Sequence, residues 1–344
     1  MPNGVKKILV VRFSSLGDLI LTTPFYRELK RLFPKAQVDL LTSRTFAPLF
    51  EGNPHLTQVW EFDRKDSAQL DLWARQIKAQ DYDLAFDLHR SLRSRLLLFK
   101  AFGAFSPKVK KIDKRSLNRN LLLAFKINRF QGPQAQRRAY LKLLEPLAQG
   151  LKLQGHTELF PSPQAQTKAK AILAQTGLEG KPLVALGPSA SFGLKCWPKE
   201  SFLELGLELA ERGFGLVALG GPGDLEPPWL EEASQGKIKD LSGKLDFLES
   251  AALLSQATLA VSNDSAIVHF SEAVGRPVLA LFGPTVQEFG FAPFLPQSLV
   301  VERDLPCRPC SRNGKGKCRI KDTQACLVGL SARQVGELAL ERLG

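Results

Sequence analysis

Residues 262–285 read SNDSAIVHFSEAVGRPVLALFGPT. An apolar run over residues 259–261 leads into this stretch and stops at Ser262-Asn263-Asp264-Ser265. A helical pattern through His269 and Glu272 follows. A second apolar run, Val278–Phe282, then ends at Gly283-Pro284-Thr285. The order strand, polar turn, helix, strand is a β/α step of a parallel sheet. The turn brings Asp264, Ser265 and unpaired backbone N–H groups to a helix N-terminus, where the dipole and free donors favour an anion. His269, five residues beyond Asp264, can face the same mouth. A plainer reading explains the same letters: Asp264 or Ser265 caps the helix and His269 lies on its surface.

The same alternation extends in both directions. Strands are expected at residues 7–13, 37–42, 58–62, 84–88 and 109–112, with helices at 24–33, 68–79 and 91–102. After the polar stretch Phe160-Pro161-Ser162-Pro163 the pattern restarts, with strands at 183–186, 214–219, 238–241, 258–261 and 278–282. Two β/α series predict an α/β protein of two doubly wound parallel-sheet domains, 1–165 and 166–330. A closing helix within 331–344 can pack on either domain, including back on the first. Ligands of such sheets bind beyond the carboxyl ends of the strands, so a central cleft between facing domains is the expected site.

Composition agrees with this class. The 344 residues suit two domains of ordinary size, and the apolar share of 44% is that of a globular protein. No apolar run reaches the roughly 18 residues needed to span a bilayer. Lys6 and Lys7 precede an apolar stretch, but Arg12 interrupts it and no small-residue cleavage site follows. It reads as a first strand rather than a signal peptide, which implies a cytoplasmic protein. The formal net charge is +13, and between Arg90 and Arg138 there are 14 Lys or Arg residues against one acid, Asp113. So basic a block should attract a polyanion. Neither an aromatic-rich RNA-binding pattern nor zinc-finger spacing is present, so nucleic acid is not expected. The runs 96–99 and 121–123 set leucines among these cations, a mixture suited to a membrane surface or anionic lipid head group. A solvated surface that aids solubility is the simpler alternative.

Three further turns carry chemistry. In Arg12-Phe13-Ser14-Ser15-Leu16-Gly17-Asp18 a single glycine excludes the dinucleotide fingerprint. The turn instead delivers a carboxylate, Asp18, to a strand end, where it can serve as a general base. Thr23-Pro24 downstream offers a helix cap followed by proline at the first helical position, which leaves Asp18 free for other work. The second turn, residues 187–198, places Ser189 and Ser191 among glycines, so that backbone N–H groups can approach a phosphate, and Lys195 can neutralise it. The third, Leu219-Gly220-Gly221-Pro222-Gly223-Asp224, either passes close to a nucleotide base or ribose or is a tight connection. Cys307, Cys310, Cys318 and Cys326 form C-x2-C-x7-C-x7-C, a set that could hold structural zinc, although the second pair lacks the usual short spacing. Cys196 is isolated and reads as packing.

Taken together, KILVVRFSSLGDLILTTP, the KCWP step, SNDSAIVHF and RPVLALFGPT resemble the ADP-heptose:lipopolysaccharide heptosyltransferases of glycosyltransferase family 9. The tail CRPCSRNGKGKC followed by CLVGLSARQV is most similar to heptosyltransferase II members. The resemblance implies a GT-B architecture of two Rossmann-like domains and an inverting transfer of heptose from ADP-heptose to the inner core. On it, Asp18 matches the base that deprotonates the acceptor hydroxyl. Lys195, with Ser189 and Ser191, matches the phosphate-holding loop. Asp264 matches the acid near the donor sugar, while Ser265, Ala266 and His269 line the diphosphate. Ala266 departs from the glycine common there. Leu245 falls at an apolar contact to adenine, Asp224 joins the donor side, and Arg93 and Arg119 meet the phosphorylated acceptor. No catalytic metal or cofactor is implied, because Lys195 and the helix N-terminus at Ser265 would supply the positive charge. The resemblance and the charge together place the protein at the cytoplasmic face of an anionic inner membrane. A second reading is a non-catalytic binder of an anionic glycolipid, membrane or RNA through residues 90–138. A third, a nucleotide-sugar epimerase, lacks the dinucleotide fingerprint and a Tyr-x-x-x-Lys pair.

Overall fold

The computed structural model describes residues 4–63, 69–130, 132–133, 135–222, 229–320 and 323–344; Asp224 lies outside them. The first series runs β1 (Lys7–Val11), α1 (Leu16–Ile20), α2 (Thr23–Leu32), β2 (Gln37–Ser43), β3 (Gln58–Phe62), α3 (Gln69–Gln80), β4 (Leu84–Asp87), α4 (Leu92–Phe102) and β5 (Val109–Lys111). Then come α5 (Ser116–Phe125), α6 (Gln136–Leu141) and α7 (Pro163–Gln175). The second series continues β6 (Leu183–Gly187), α8 (Lys199–Glu211), β7 (Gly215–Ala218), α9 (Trp229–Ala233), β8 (Ile238–Asp240) and α10 (Phe247–Leu254). It closes with β9 (Leu259–Asn263), α11 (Ala266–Ala273), β10 (Val278–Phe282), β11 (Leu299–Glu302), α12 (Ala325–Val328) and α13 (Ala332–Leu343).

Two parallel sheets result. The first has the order β3-β2-β1-β4-β5, the second β11-β10-β9-β6-β7-β8. In each, the first strand of its series is central, and the order reverses beside it, between β1 and β4 and between β6 and β9. Those reversals are the switch points where doubly wound sheets bind ligands. The central strands are mainly apolar because both of their faces are covered. In β1, Ile8, Leu9, Val10 and Val11 have no exposed surface, and β6, β9 and β10 are buried along their whole length.

The chain divides into two compact units, residues 1–114 with 136–160 and residues 115–135 with 161–344. A single cut at 165 therefore differs from the structure by an excursion, since α5 belongs with the second series. The cause is polar anchoring. Arg119 donates to the Phe289 carbonyl at 2.8 Å, Lys126 to the carbonyls of Cys307 (2.8 Å) and Pro309 (2.5 Å), and Asn128 to Glu288 at 3.0 Å. The closing helix α13 packs within the second unit. Val335 and Ala339 join Leu205, Leu209, Leu279 and Leu281 in one core, and Gly336 admits the Glu208 carboxylate to within 2.8 Å of where a Cβ would stand.

In the first unit, the segment 152–158 is tied to α2 by charge. Arg27 donates to the carbonyls of Gln154 and His156 and pairs with Glu158 at 2.9 Å, while Arg31 donates to Lys152. His55 faces Glu158 at 3.1 Å, yet burial and then the Arg27 charge outweigh that carboxylate and hold the imidazole below its ordinary value near 6.5. Burial and Arg27 lower His156 as well. A histidine with a depressed folded-state pKa contributes stability above its unfolded pKa and loses it as pH falls toward the folded one. The melting temperature is thus expected to fall on acidification from about pH 7 to about pH 5.5. His55→Gln should make that fall shallower in a thermal-denaturation series.

Candidate active site

At the switch point of the first unit, Asp18 occupies the first turn of α1 and is held on three sides. Ser15 Oγ donates to its Oδ2 at 2.8 Å, the Arg12 guanidinium lies 2.8 Å from the same oxygen, and the Tyr140 hydroxyl donates to Oδ1 at 3.3 Å. Arg12 leaves the end of β1, is buried, and also donates to the Leu88 carbonyl beyond β4 at 2.5 Å. Burial works against its charge, but Asp18 and the Tyr140 and Tyr26 hydroxyls prevail and raise the Arg12 pKa above its ordinary value. Burial likewise pushes the Tyr140 phenol well above its usual range. The result is a carboxylate oriented against a permanent cation, one-fifth exposed and able to meet an incoming hydroxyl. Thr23 is not the cap expected of it. Thr22 is the N-cap residue of α2, with no side-chain cap bond, and Thr23 Oγ1 donates back to the Ile20 carbonyl.

At the switch point of the second unit, the turn after β6 meets the turn after β9. Lys195 Nζ lies 2.8 Å from Asp264 Oδ2, an oxygen that also accepts the Thr285 hydroxyl at 2.7 Å. The pair is mostly buried, with 16% and 8% of the two side chains exposed. Asn263 fixes the lysine turn. Its Oδ1 accepts the Trp197 backbone N–H at 2.9 Å, and its Nδ2 donates to the Pro188 carbonyl at 2.7 Å. The Trp197 indole N–H closes the assembly onto the Leu330 carbonyl. Gly314, at φ +89°, lies against the Lys195 stem, so the Cys-rich loop forms one wall of the lysine's channel. Arg308 fastens that loop to the turn after β10, donating to the carbonyls of Gly283 (2.6 Å) and Thr285 (2.8 Å) while pairing with Glu302.

The other residues expected on the donor side fall at and around the turns after β6, β8 and β9. Ser265 is the N-cap of α11, its Oγ accepting the Ile267 N–H at 3.3 Å, so the capping reading holds for Ser265 while Asp264 turns to Lys195. Ala266 opens the helix, half-buried. His269 is buried, not on the surface, with its ring 6.4 Å from Phe291. Ser189 Oγ is buried and has no hydrogen-bond partner among the described residues, whereas Ser191 is exposed. Leu245 is half-buried in the turn between β8 and α10. At Gly187, where β6 ends, a Cβ would stand 2.8 Å from Ser262 Cβ and 3.1 Å from Ile267 Cγ2. Gly187→Ala is expected to cost about 1–3 kcal/mol of stability in urea denaturation, with Ser262→Gly in the same chain recovering most of it.

The two arginines expected at the acceptor part company. Arg93 is exposed on α4, its guanidinium 6.0 Å from the Phe62 ring centroid. Arg119 belongs to the second unit and is 9% exposed, stacked 5.8 Å over the Phe291 ring while it bonds the Phe289 carbonyl. Its charge serves the packing of that unit. Cys307, Cys310, Cys318 and Cys326 form no disulfide, and Cys326 is built into the core. Burial, with Cys307 and Cys318 nearby, raises the Cys310 thiol pKa, and burial does the same at Cys326. Among the described residues no group of three or more His, Cys, Asp or Glu is gathered to hold a metal.

Two Rossmann-like units with ionic clusters at their switch points define a GT-B glycosyltransferase scaffold. The profile of glycosyltransferase family 9 (heptosyltransferase) matches residues 72–319, and the chain belongs to that family. It is 28% identical over 300 residues to lipooligosaccharide heptosyltransferase 2 of Haemophilus influenzae, covering 82% of this chain and 84% of that one. Among solved structures, a family 9 glycosyl transferase from Veillonella parvula superposes with a TM-score of 0.82 at 23% identity, covering 100% of this chain and 98% of the other. The ADP-heptose lps heptosyltransferase II of E. coli gives 0.75 at 21% identity, with 98% of each chain covered. Membership in a glycosyltransferase family displaces the reading of a non-catalytic anion binder. Among the described residues no helix is long and apolar enough to cross a membrane.

Proposed function

We propose that this glycosyltransferase moves heptose from ADP-heptose to a sugar hydroxyl of the lipopolysaccharide inner core, with inversion at the anomeric carbon. The observation that carries the reading is the buried Lys195–Asp264 pair at the second switch point of a family 9 chain. Lys195 neutralises the diphosphate, and the N–H groups opening α11 add the positive end of a helix dipole. Asp264, beside Thr285, faces the donor sugar. Asp18 takes the acceptor proton as the hydroxyl oxygen bonds to the anomeric carbon. The bond from that carbon to the phosphate oxygen breaks, and ADP leaves with the electron pair. The transition state is oxocarbenium-like, as in inverting glycoside hydrolysis with a sugar hydroxyl in place of water. The acceptor is carried by a glycolipid, so the enzyme works in the cytoplasm at the inner face of the membrane, where the basic segment 90–138 meets anionic groups.

The test is transfer itself. Enzyme, ADP-heptose and a purified heptose-deficient core acceptor should yield ADP and an acceptor heavier by one heptosyl residue in mass spectrometry. Folded protein that shows no thermal shift with ADP-heptose and no acceptor modification would sink the reading.

A further inference from the structure

The helix α4 shows an arrangement that neither the fold nor the transfer chemistry requires. Its inward face is ordinary: Ser94, Leu97, Leu98 and Ala101 are buried. Its outward face should then be polar. Instead Leu92, Leu96 and Phe99, spaced i, i+4 and i+7, stand out at 82%, 42% and 55% exposure. Phe105, just past the C-terminal Gly103, is fully exposed. Large apolar side chains lined up on one exposed helix face mark an interaction surface.

The surroundings of the stripe indicate what covers it. At 3.6 residues per turn, Arg95 lies on one flank of the stripe and Arg93 and Lys100 on the other. Lys108, Lys110 and Lys111 follow on the next segment and are exposed, with Lys108 paired to Asp81 at 3.4 Å. From Arg90 to Lys114 the chain carries eight Lys or Arg and one acid, Asp113. Lys100 is paired with Asp71 of α3 at 2.7 Å, and Arg93 leans on Phe62, which holds both stems along the helix sides. Lysines on the edge strand β5 also discourage edge pairing, which accounts for Lys110 and Lys111 but not for the leucines or Phe99. A protein partner would match the apolar stripe without needing a rim in which Arg93, Arg95, Lys110 and Lys111 exceed the paired acids Asp71 and Asp81. An apolar ridge with cations on both flanks is the form of a helix lying in a bilayer interface, with its ridge among acyl chains and its cations at head-group phosphates.

We propose that the outward face of α4, with Phe105, docks this enzyme on an anionic phospholipid bilayer. The inference rests on the reading of a glycolipid acceptor and names the surface that brings the enzyme to it. At about 16 Å, α4 is long enough to lie flat in the head-group region and far too short to span it. Each cation at an anionic leaflet is worth roughly fivefold in partitioning, so binding to vesicles should weaken as salt rises.

The test is co-sedimentation of the full chain with vesicles of phosphatidylethanolamine and phosphatidylglycerol. Neutral phosphatidylcholine vesicles and a single-stranded RNA oligomer serve as comparators. Wild type should bind the anionic vesicles and bind the neutral ones far less. The triple variant Leu92→Gln/Leu96→Gln/Phe99→Gln, and separately Phe105→Ser, should keep the wild-type melting temperature. The triple variant should lose about tenfold or more in anionic-vesicle partitioning. Its turnover should be unchanged on a deacylated, water-soluble acceptor and reduced on the same acceptor embedded in vesicles. Vesicle binding by the triple variant equal to wild type would overturn the proposal. So would wild-type binding to RNA with none to vesicles, which would assign the face to nucleic acid. Loss of vesicle binding in the variants, with no heptose transfer by any form, would leave the docking face standing and remove the catalytic reading alone.

Discussion

Asp18→Asn is expected to lower kcat by about 10²–10⁴-fold while leaving ADP affinity as in the wild type. The amide keeps the shape of the carboxylate; its one oxygen can accept from Ser15 while its NH2 donates to the Tyr140 hydroxyl oxygen, so the α1 turn has every reason to persist. What it loses is the oxygen that takes a proton. The donor residues proposed here all lie on the second unit, which is why binding and turnover should separate. Removing the ion partner leaves the Arg12 guanidinium buried with one fewer anion, so a modest fall in melting temperature should accompany the change. Arg12→Met supplies the complementary control. It should also slow turnover, because the carboxylate loses the group that aims it. Initial rates at saturating donor, beside calorimetric ADP binding, distinguish these cases. Near-wild-type turnover by folded Asp18→Asn would remove the carboxylate from the chemistry.

Lys195→Ala carries the second large effect, and it acts on stability and on binding together. Truncation leaves Asp264 mostly buried with Thr285 as its remaining partner in the pair's network, at a cost of about 3 kcal/mol, or roughly 6–12 °C in melting temperature. It also removes the charge that meets the diphosphate, which should weaken ADP by about 10–100-fold. Two further variants separate the contributions. Lys195→Met keeps a stem against Gly314 and loses only the charge. Adding Asp264→Asn to Lys195→Met removes the stranded carboxylate and should restore much of the stability without restoring ADP binding. Thermal shifts with and without ADP report both quantities from one experiment. If Lys195→Met bound ADP as tightly as wild type, the lysine would be a packing residue and the phosphate site would have to be sought elsewhere.

The regular alternation of apolar runs and helical stretches made both sheets legible, because parallel strands covered on two faces cannot hide among polar residues. β3 and β10 occur at the residues expected from their runs, 58–62 and 278–282. β11 escaped notice because no α-helix separates it from β10, so Leu299–Glu302 breaks the rhythm on which the reading relied. Asp18, Lys195 and Asp264 stood out because a strand end followed by a small-residue turn advertises them. Their partners did not. Tyr140 is 122 residues from Asp18, and Thr285 reaches Asp264 from the far side of β10. Arg12 was in plain view but read only as a break in an apolar run. Charge density disclosed that 90–138 is basic without telling which cations turn inward. Arg119 turns inward, through a stacking and a carbonyl contact that no local pattern encodes.

The excursion of residues 115–135 bears on how this enzyme could be divided or recombined. The chain passes from one unit to the other after Lys114, returns after Ala135 and leaves again after Phe160. Neither half is therefore a continuous piece of polypeptide. A fragment ending near residue 160 would carry α5 without the Phe289 carbonyl and the Phe291 ring that receive Arg119. A fragment starting there would leave those groups, and the Cys307 and Pro309 carbonyls, open to solvent. Exchange of donor specificity between relatives by a single crossover would break the same contacts. A viable chimera must transplant the short helix together with the second sheet, so the natural unit of exchange in this molecule is two separate stretches of sequence inherited as one.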